Sequence, residues 1–184
     1  FGEYGFPESH SASFALLVYV SGWLKCRHPA AFAAALINSQ PMGFYSPRAI
    51  VADAQRHGIE VRPVCAVHSN HDCTLERAAD GQAAVRLGFR LVQGFGREHG
   101  EAVERARRDG PFGSLADFAR RTSLDRRRLQ ALAEANAFSA LGPGRREAAW
   151  VLQGLWTELP LFAGLSRDEP SPKLPETGLV DDLR

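Results

Sequence analysis

A turn built around two glycines, followed by a helical sequence, constrains this chain of 184 residues more than any other feature. The run is Leu91-Val-Gln-Gly94-Phe-Gly96-Arg-Glu-His-Gly100-Glu-Ala-Val103. Gly94 and Gly96 can adopt backbone angles that are closed to other residues, so the main chain there can approach an anion closely. The first N–H groups of the following helix have no partner inside the helix, and the helix dipole strengthens their attraction for negative charge. We expect Val92 and Phe95 to anchor the turn in the core, and Gly100 to let two helices approach closely.

The pattern is typical of a helix-hairpin-helix motif, which holds the phosphate backbone of DNA without reading its sequence. The alternative is a plain tight turn or helix end, because Gly-x-Gly before a helix is common. The surroundings favour the first interpretation, since eleven arginines and six acidic residues give positions 86–128 a net charge of about +5, against +1 for the whole chain. Such a surface predicts salt-sensitive binding of nucleic acid, although a solvated helical surface laced with Arg–Glu pairs has a similar composition. The residues expected to contact DNA are Gly94, Phe95, Gly96, Arg97 and Arg90.

Periodicity predicts a mainly helical fold with a small β-sheet, an α+β arrangement. Predicted helices cover about 11–26, 29–38, 48–57, 97 onward, 115–121, 125–135 and 145–155, and predicted strands cover 59–64, 73–76 and 84–87. The predicted divisions are a helical segment at 1–58, a β segment at 59–87, a tandem helix-hairpin-helix unit at 88–142, a helix with a short apolar peptide at 143–164, and a flexible linker rich in proline and acids at 165–184. The helices near 115–121 and 125–135 would form the second, degenerate hairpin of the tandem unit.

The first predicted helix carries apolar residues at a spacing that places them on one face, with Ser9 or Ser11 as its cap. The stripe expected to be buried consists of Phe14, Leu17, Val18, Ser21 and Leu24. Ser9 and His10 also precede the body of this helix, where a hydroxyl, an imidazole and free amides could bind an anion. The simpler alternative is that Ser9 only caps the helix and His10 packs.

A second group of residues has metal-ligand chemistry, in the run Cys65-x-x-His68-x-x-His71-x-Cys73. Structural zinc sites usually bring two ligand pairs together across a longer segment, so this spacing argues against zinc and we expect no metal site. No local pattern of paired carboxylates or of Ser, His and Asp predicts a complete catalytic centre. The chain also has only three cysteines and no apolar run long enough to span a bilayer, which favours a reducing cytoplasmic location.

The run Glu158-Leu-Pro-Leu-Phe162 is a short apolar peptide next to the predicted linker, where partner-docking peptides are often found. Leu159, Leu161 and Phe162 are its expected contact residues. The alternative is that the same side chains fold back onto the core of the chain.

Several long strings resemble the fingers region of the bacterial C-family DNA polymerases. The strings are Phe1-Gly-Glu-Tyr-Gly-Phe-Pro-Glu-Ser-His10-Ser-Ala-Ser-Phe-Ala-Leu and Trp23-Leu-Lys-Cys-Arg-His-Pro29-Ala-Ala-Phe32. Two other strings are more similar to the error-prone, damage-inducible branch of the family. They are Leu36-Ile-Asn-Ser-Gln-Pro-Met-Gly-Phe-Tyr-Ser-Pro47 and Asp72-Cys-Thr-Leu-Glu76. Arg86 to Gly96 then matches the tandem helix-hairpin-helix module of that family, so the resemblance covers nearly the whole chain.

The resemblance implies that the complete protein copies DNA, with palm carboxylates holding Mg²⁺ ions and fingers closing on a deoxynucleotide triphosphate. The palm residues would lie upstream of Phe1, so the chain alone should be inactive. Ser9 and His10 match the fingers motif near the triphosphate, although replicative relatives place Asn-Lys where this chain has Pro7-Glu8. Loss of that cation predicts weaker triphosphate binding than in the replicative relatives.

The family also carries a peptide that binds the sliding clamp, of the form Gln-Leu-polar-Leu-Phe, at the place of Glu158 to Phe162. Here Glu replaces Gln and the middle residue is proline. The resemblance therefore implies primer-template DNA, a nucleotide triphosphate and either the clamp or other members of a mutagenic complex as partners, with no membrane contact. The rival hypotheses are a stand-alone DNA-binding accessory module without enzyme activity, and a purely structural domain.

Overall fold

The computed structural model describes residues 8–155, which divide into two compact units. One unit contains residues 8–62 and 73–86, and the other contains residues 63–72 and 87–155. The first unit is therefore interrupted at residues 63–72, which form a ten-residue loop in the second unit. From residue 87 to the end of its described length, the chain belongs to the second unit.

The first unit begins with three helices, α1 (Glu8–Arg27), α2 (Pro29–Asn38) and α3 (Pro47–Arg56). Pro29 and Pro47 occupy the first helical positions, where a missing N–H costs nothing. Ser46 caps α3 by accepting a hydrogen bond from the Ala49 N–H at 3.2 Å. Gly58, with φ +79°, follows the end of α3 in a left-handed conformation that suits glycine.

Three short strands, β1 (Val61–Arg62), β2 (Thr74–Arg77) and β3 (Ala83–Arg86), form a sheet in the order β1-β3-β2. β1 runs parallel to β3, whereas β2 is antiparallel to β3 and pairs Leu75 with Val85. The apolar face of α2 packs on β2 and β3. The predicted α+β class is confirmed, and each predicted strand is present within a few residues.

The stripe predicted to be buried along α1 is exposed in this chain. Phe14, Leu17 and Val18 keep between 51% and 69% of their surface accessible. The reason is that α1 is apolar on more than one side, with Trp23 also exposed, while α2 packs against it and α3 reaches it through the Lys25–Asp53 ion pair, which leaves much of its apolar surface uncovered. The predicted cap was also wrong, because α1 already includes Ser9 and Ser11.

The second unit contains α4 (Arg97–Arg108), α5 (Leu115–Thr122), α6 (Arg126–Glu134) and α7 (Arg145–Leu155), preceded by a 3₁₀ turn at Phe89–Leu91. Their apolar faces enclose one core around Phe89, Phe118 and Phe138, each at most 1% exposed. Side chains cap two of the helices, with Ser114 bonded to the Asp117 N–H at 3.1 Å and Asp125 to the Arg128 N–H at 2.9 Å. None of the helices within residues 8–155 is both long and apolar enough to cross a bilayer.

Candidate nucleic-acid interface

Of the two glycines in the turn, only Gly94 adopts the special backbone conformation that the sequence predicts. Gly94 has φ +73°, a left-handed conformation that side chains rarely adopt, and the space where its Cβ would lie is open. Gly96 is the N-cap of α4 with φ −73° and ψ 171°, so only the first glycine is required by its conformation. The turn therefore presents exposed main chain at Gly94, shortly before a twelve-residue helix that starts at Arg97.

Two apolar side chains anchor this turn, as predicted. Val92 and Phe95 are 8% and 5% exposed, and the Phe95 ring lies 5.2 Å from the ring of Phe89. Gly100, however, does not bring two helices together. A Cβ on Gly100 would lie 2.8 Å from the Cβ of His71, so this glycine makes room for the loop at 63–72.

The start of α4 is arranged by its own first turn. His99 Nδ1 accepts a hydrogen bond from the Gly96 N–H at 3.0 Å, and the Glu98 carboxylate lies 3.1 Å from the same imidazole nitrogen. The Glu98 carboxylate also occupies the space next to the Gly96 Cα, so it would overlap a Cβ there. Because Glu98 is 74% exposed, its carboxylate can be displaced from the helix start by another anion.

The loop at 63–72 is held against α4 by the half-buried Arg107 and by Glu104, which accepts a hydrogen bond from the His71 N–H at 2.8 Å. Arg107 donates to the carbonyl of Ser69 at 2.5 Å and to the Asn70 side chain at 3.1 Å. Its burial lowers the pKa of the guanidinium from its ordinary value. Arg107 is therefore a structural residue, although the sequence pattern counts it with the basic surface.

The same loop places Asp72 between the two arginines predicted to contact DNA. Asp72 Oδ1 accepts from Arg90 at 3.0 Å, and its Oδ2 lies 3.6 Å from Arg97. Arg90 is 20% exposed, whereas Arg97 is 62% exposed and is the more available of the two for an external phosphate. Asp72 was missed by the sequence analysis because it is eighteen positions from Arg90 along the chain.

Other arginines of the basic region also have internal roles. Arg86 is 9% exposed and pairs with Glu76 at 2.8 Å. Arg121 lies 4.7 Å above the Phe112 ring and donates to the carbonyls of Ala106 and Gly110. The net charge of positions 86–128 therefore overstates the number of cations that are available to a ligand.

The second hairpin repeats the backbone of the first. Ser123 has φ +51° and corresponds to Gly94, and Leu124 is 5% exposed as Phe95 is. Asp125 is the N-cap of α6 with φ −70° and ψ 165°, which nearly matches Gly96. The sequence analysis found this hairpin from its helices but missed the role of Asp125, which aligning the two turns could have revealed.

The other predicted site residues lie elsewhere. Ser9 and His10 are in the first turn of α1, and the exposed His10 ring lies 4.4 Å from the ring of Phe14. Leu159, Leu161 and Phe162 fall outside the described residues, as does the predicted linker. Within residues 8–155, no three His, Cys, Asp or Glu side chains are grouped to hold a metal ion, and Cys65 and Cys73 are buried.

Comparison with known proteins agrees with this geometry. A helix-hairpin-helix motif family matches residues 58–148. Error-prone DNA polymerases from Methylococcus capsulatus and Alkalilimnicola ehrlichii are each 51% identical to this chain over its whole length, and that of Pseudomonas fluorescens is 50% identical. The chain belongs to the error-prone DNA polymerase family.

The match covers all of this chain but only 18% to 19% of each of these polymerases. The family resemblance inferred from the fingers strings and from the glycine turn is thus confirmed. Within an error-prone DNA polymerase, the chain corresponds to one segment that includes the helix-hairpin-helix motif.

Proposed function

We propose that this segment of an error-prone DNA polymerase holds duplex DNA by its phosphate backbone at the Gly94–Gly96 turn. The observation that carries the proposal is the open main chain at Gly94, directly before the start of α4 and beside the exposed Arg97. Main-chain amides and a helix start favour a phosphate oxygen irrespective of base sequence. Phe95 contributes by anchoring the turn, and Arg90 by supplying positive charge next to it.

The complete protein would then be a DNA-directed DNA polymerase acting in DNA repair, by damage-induced mutagenesis and translesion synthesis. When bound, Mg²⁺ would neutralise charge on the transferred nucleotide. The palm carboxylates that would hold it are not part of this chain, so the chain alone should not polymerise. A stand-alone accessory module is disfavoured, because the whole chain aligns within much longer polymerases.

Two further contacts belong to the proposal for the complete protein. Ser9 and His10 would face the incoming deoxynucleotide triphosphate from the first turn of α1. Leu159, Leu161 and Phe162 would bind the sliding clamp or a partner in a mutagenic complex. Leu161→Ala and Phe162→Ala should each weaken clamp binding in a titration, and unchanged binding would contradict the peptide assignment.

The backbone contact can be tested by fluorescence anisotropy with a labelled duplex of arbitrary sequence over a salt series. Gly94→Val forces a β-branched residue into φ +73° and should weaken binding at least tenfold. Gly81→Val is the matched control, because Gly81 has φ +82° and equally open surroundings but lies in the turn between β2 and β3.

The proposal expects steeply salt-dependent binding by the wild-type chain, with a loss in Gly94→Val and little change in Gly81→Val. Circular dichroism of both variants would show whether the helical content is retained. Equal losses in the two variants, or no binding by a folded wild-type chain, would contradict the proposed contact.

A further inference from the structure

The two hairpins of the second unit differ at the residue that caps the following helix, among other positions of the turn. At the first hairpin the N-cap is Gly96, which has no side chain. At the second hairpin the N-cap is Asp125, whose Oδ1 accepts a hydrogen bond from the Arg128 N–H at 2.9 Å. The backbone angles of the two positions agree within 6°, so the comparison is between equivalent places in the fold.

The Asp125 carboxylate is held there by more than one contact. Its other oxygen lies 2.5 Å from the Arg128 guanidinium. The Arg128 N–H and guanidinium lower the pKa of the Asp125 carboxyl from its ordinary value. An ionised carboxylate that already accepts from one first-turn N–H repels an incoming phosphate and leaves it one donor fewer.

We infer that Asp125 takes the place of a DNA phosphate at the second hairpin, so the tandem unit holds the backbone through the first hairpin only. The inference rests on the proposed function, and makes Asp125 a residue that restricts where duplex DNA is held. Glu98 at the first hairpin differs because its side chain is longer and 74% exposed, against 56% for Asp125, so that a phosphate can displace it.

A reciprocal exchange tests the inference in the duplex-binding assay. Gly96→Asp gives the first hairpin the same N-cap carboxylate that the second hairpin has at Asp125. The substitution should be tolerated, since φ −73° is open to any residue and only the end of the Glu98 side chain must move. It should weaken duplex binding at least tenfold. Gly96→Asn, which caps equally well but carries no charge, should weaken duplex binding much less. Thermal unfolding of Gly96→Asp should match or exceed that of the wild-type chain.

Asp125→Asn provides the opposite change, because it keeps a capping oxygen and removes the charge. Duplex affinity should rise about fivefold, the change expected when one like charge near a phosphate is removed in water. The salt dependence of log K should steepen by about 0.9, which corresponds to one additional phosphate contact. Unchanged affinity and salt slope would overturn the inference.

Two arginines provide a matched pair that does not alter either cap. Arg97 and Arg126 are each the first residue of their helix and both are exposed. Arg97→Ala should weaken duplex binding and reduce the salt slope by about 0.9, whereas Arg126→Ala should change neither. Equal losses would show that both hairpins hold DNA and would overturn the inference. If the folded wild-type chain binds no duplex, the proposed function fails and this inference fails with it.

Discussion

Single residues decide how open the first hairpin is to an anion. Gly94 supplies the left-handed turn, and Gly96 leaves an opening at the start of α4 because it has no side chain. The Glu98 carboxylate fills part of that opening, and Asp72 balances part of the charge of Arg90 and Arg97. The turn is therefore preorganised in shape, while its charge is partly neutralised by acidic side chains that a phosphate must displace.

Replacement of Glu98 by glutamine should raise duplex affinity about two- to fivefold at low salt, because one negative charge next to the bound phosphate is removed. The measurement is anisotropy at several salt concentrations. Glu101→Gln is the control, since Glu101 is an exposed acid one turn further along α4. An equal gain in both variants would indicate a general effect of net charge.

At the scale of elements, one carboxylate links the small sheet, because it accepts hydrogen bonds from arginines on the other two strands. Glu76 on β2 accepts from Arg86 on β3 at 2.8 Å and from Arg62 on β1 at 2.5 Å. These hydrogen bonds, that of Arg86 most, lower the pKa of Glu76 to about 2 from its ordinary value of 4.5. Strands of two and four residues form few backbone hydrogen bonds, so this side-chain link adds to the connection between them.

This link makes the stability of the sheet pH-dependent. Because the folded pKa lies below the unfolded value, the stabilisation is fully present above pH 4.5 and is lost as the pH falls toward about 2. Glu76→Gln should lower the free energy of unfolding at pH 7 by roughly 1–2 kcal/mol, a figure reduced for partial exposure. Urea unfolding at pH 7 and pH 3 should show the difference shrinking in acid, and Glu60→Gln, a more exposed acid, should have a smaller effect. A pH-independent difference would contradict this assignment.

The exposed apolar surface of α1 should make the isolated chain self-associate. Leu17→Glu combined with Val18→Glu should increase the monomer fraction in sedimentation velocity, since both side chains are more than half exposed. Ala52→Glu combined with Gln55→Glu adds the same charge on exposed positions of α3 and serves as the control. If both pairs act equally, charge rather than the apolar surface controls the association.

At the scale of the whole molecule, the hairpin unit depends on a loop from a distant part of the sequence. Ala66 in this loop is fully buried in the hairpin core and donates its N–H to the Ala137 carbonyl at 2.8 Å. Arg107 binds the same loop through several carbonyls. The helix-hairpin-helix match from residue 58 to 148 accordingly starts well before the glycine turn.

A truncated chain of residues 87–155 should therefore unfold with low cooperativity, because its core and Arg107 lose their loop partners. A second chain, in which two glycines join residues 63–72 to residues 87–155, should recover a cooperative thermal transition. Circular dichroism would measure the unfolding of both chains. The junction is feasible because the Asp72 main chain lies directly against Gly88, leaving no room for a Cβ there. Equal melting curves for the two chains would show that the loop is dispensable.

Local patterns in the amino-acid sequence predict the helices, the strands and the glycine turn, because periodicity, proline and glycine positions and capping residues act over a few neighbouring positions. The resemblance of long strings also determined the family. Which arginines face solvent and which acids reach the turn depends on tertiary contacts, since Arg107, Arg121 and Asp72 bond partners far along the chain. The tertiary structure also decided that α1 stays exposed, because burial depends on what lies opposite an apolar face as well as on the face itself.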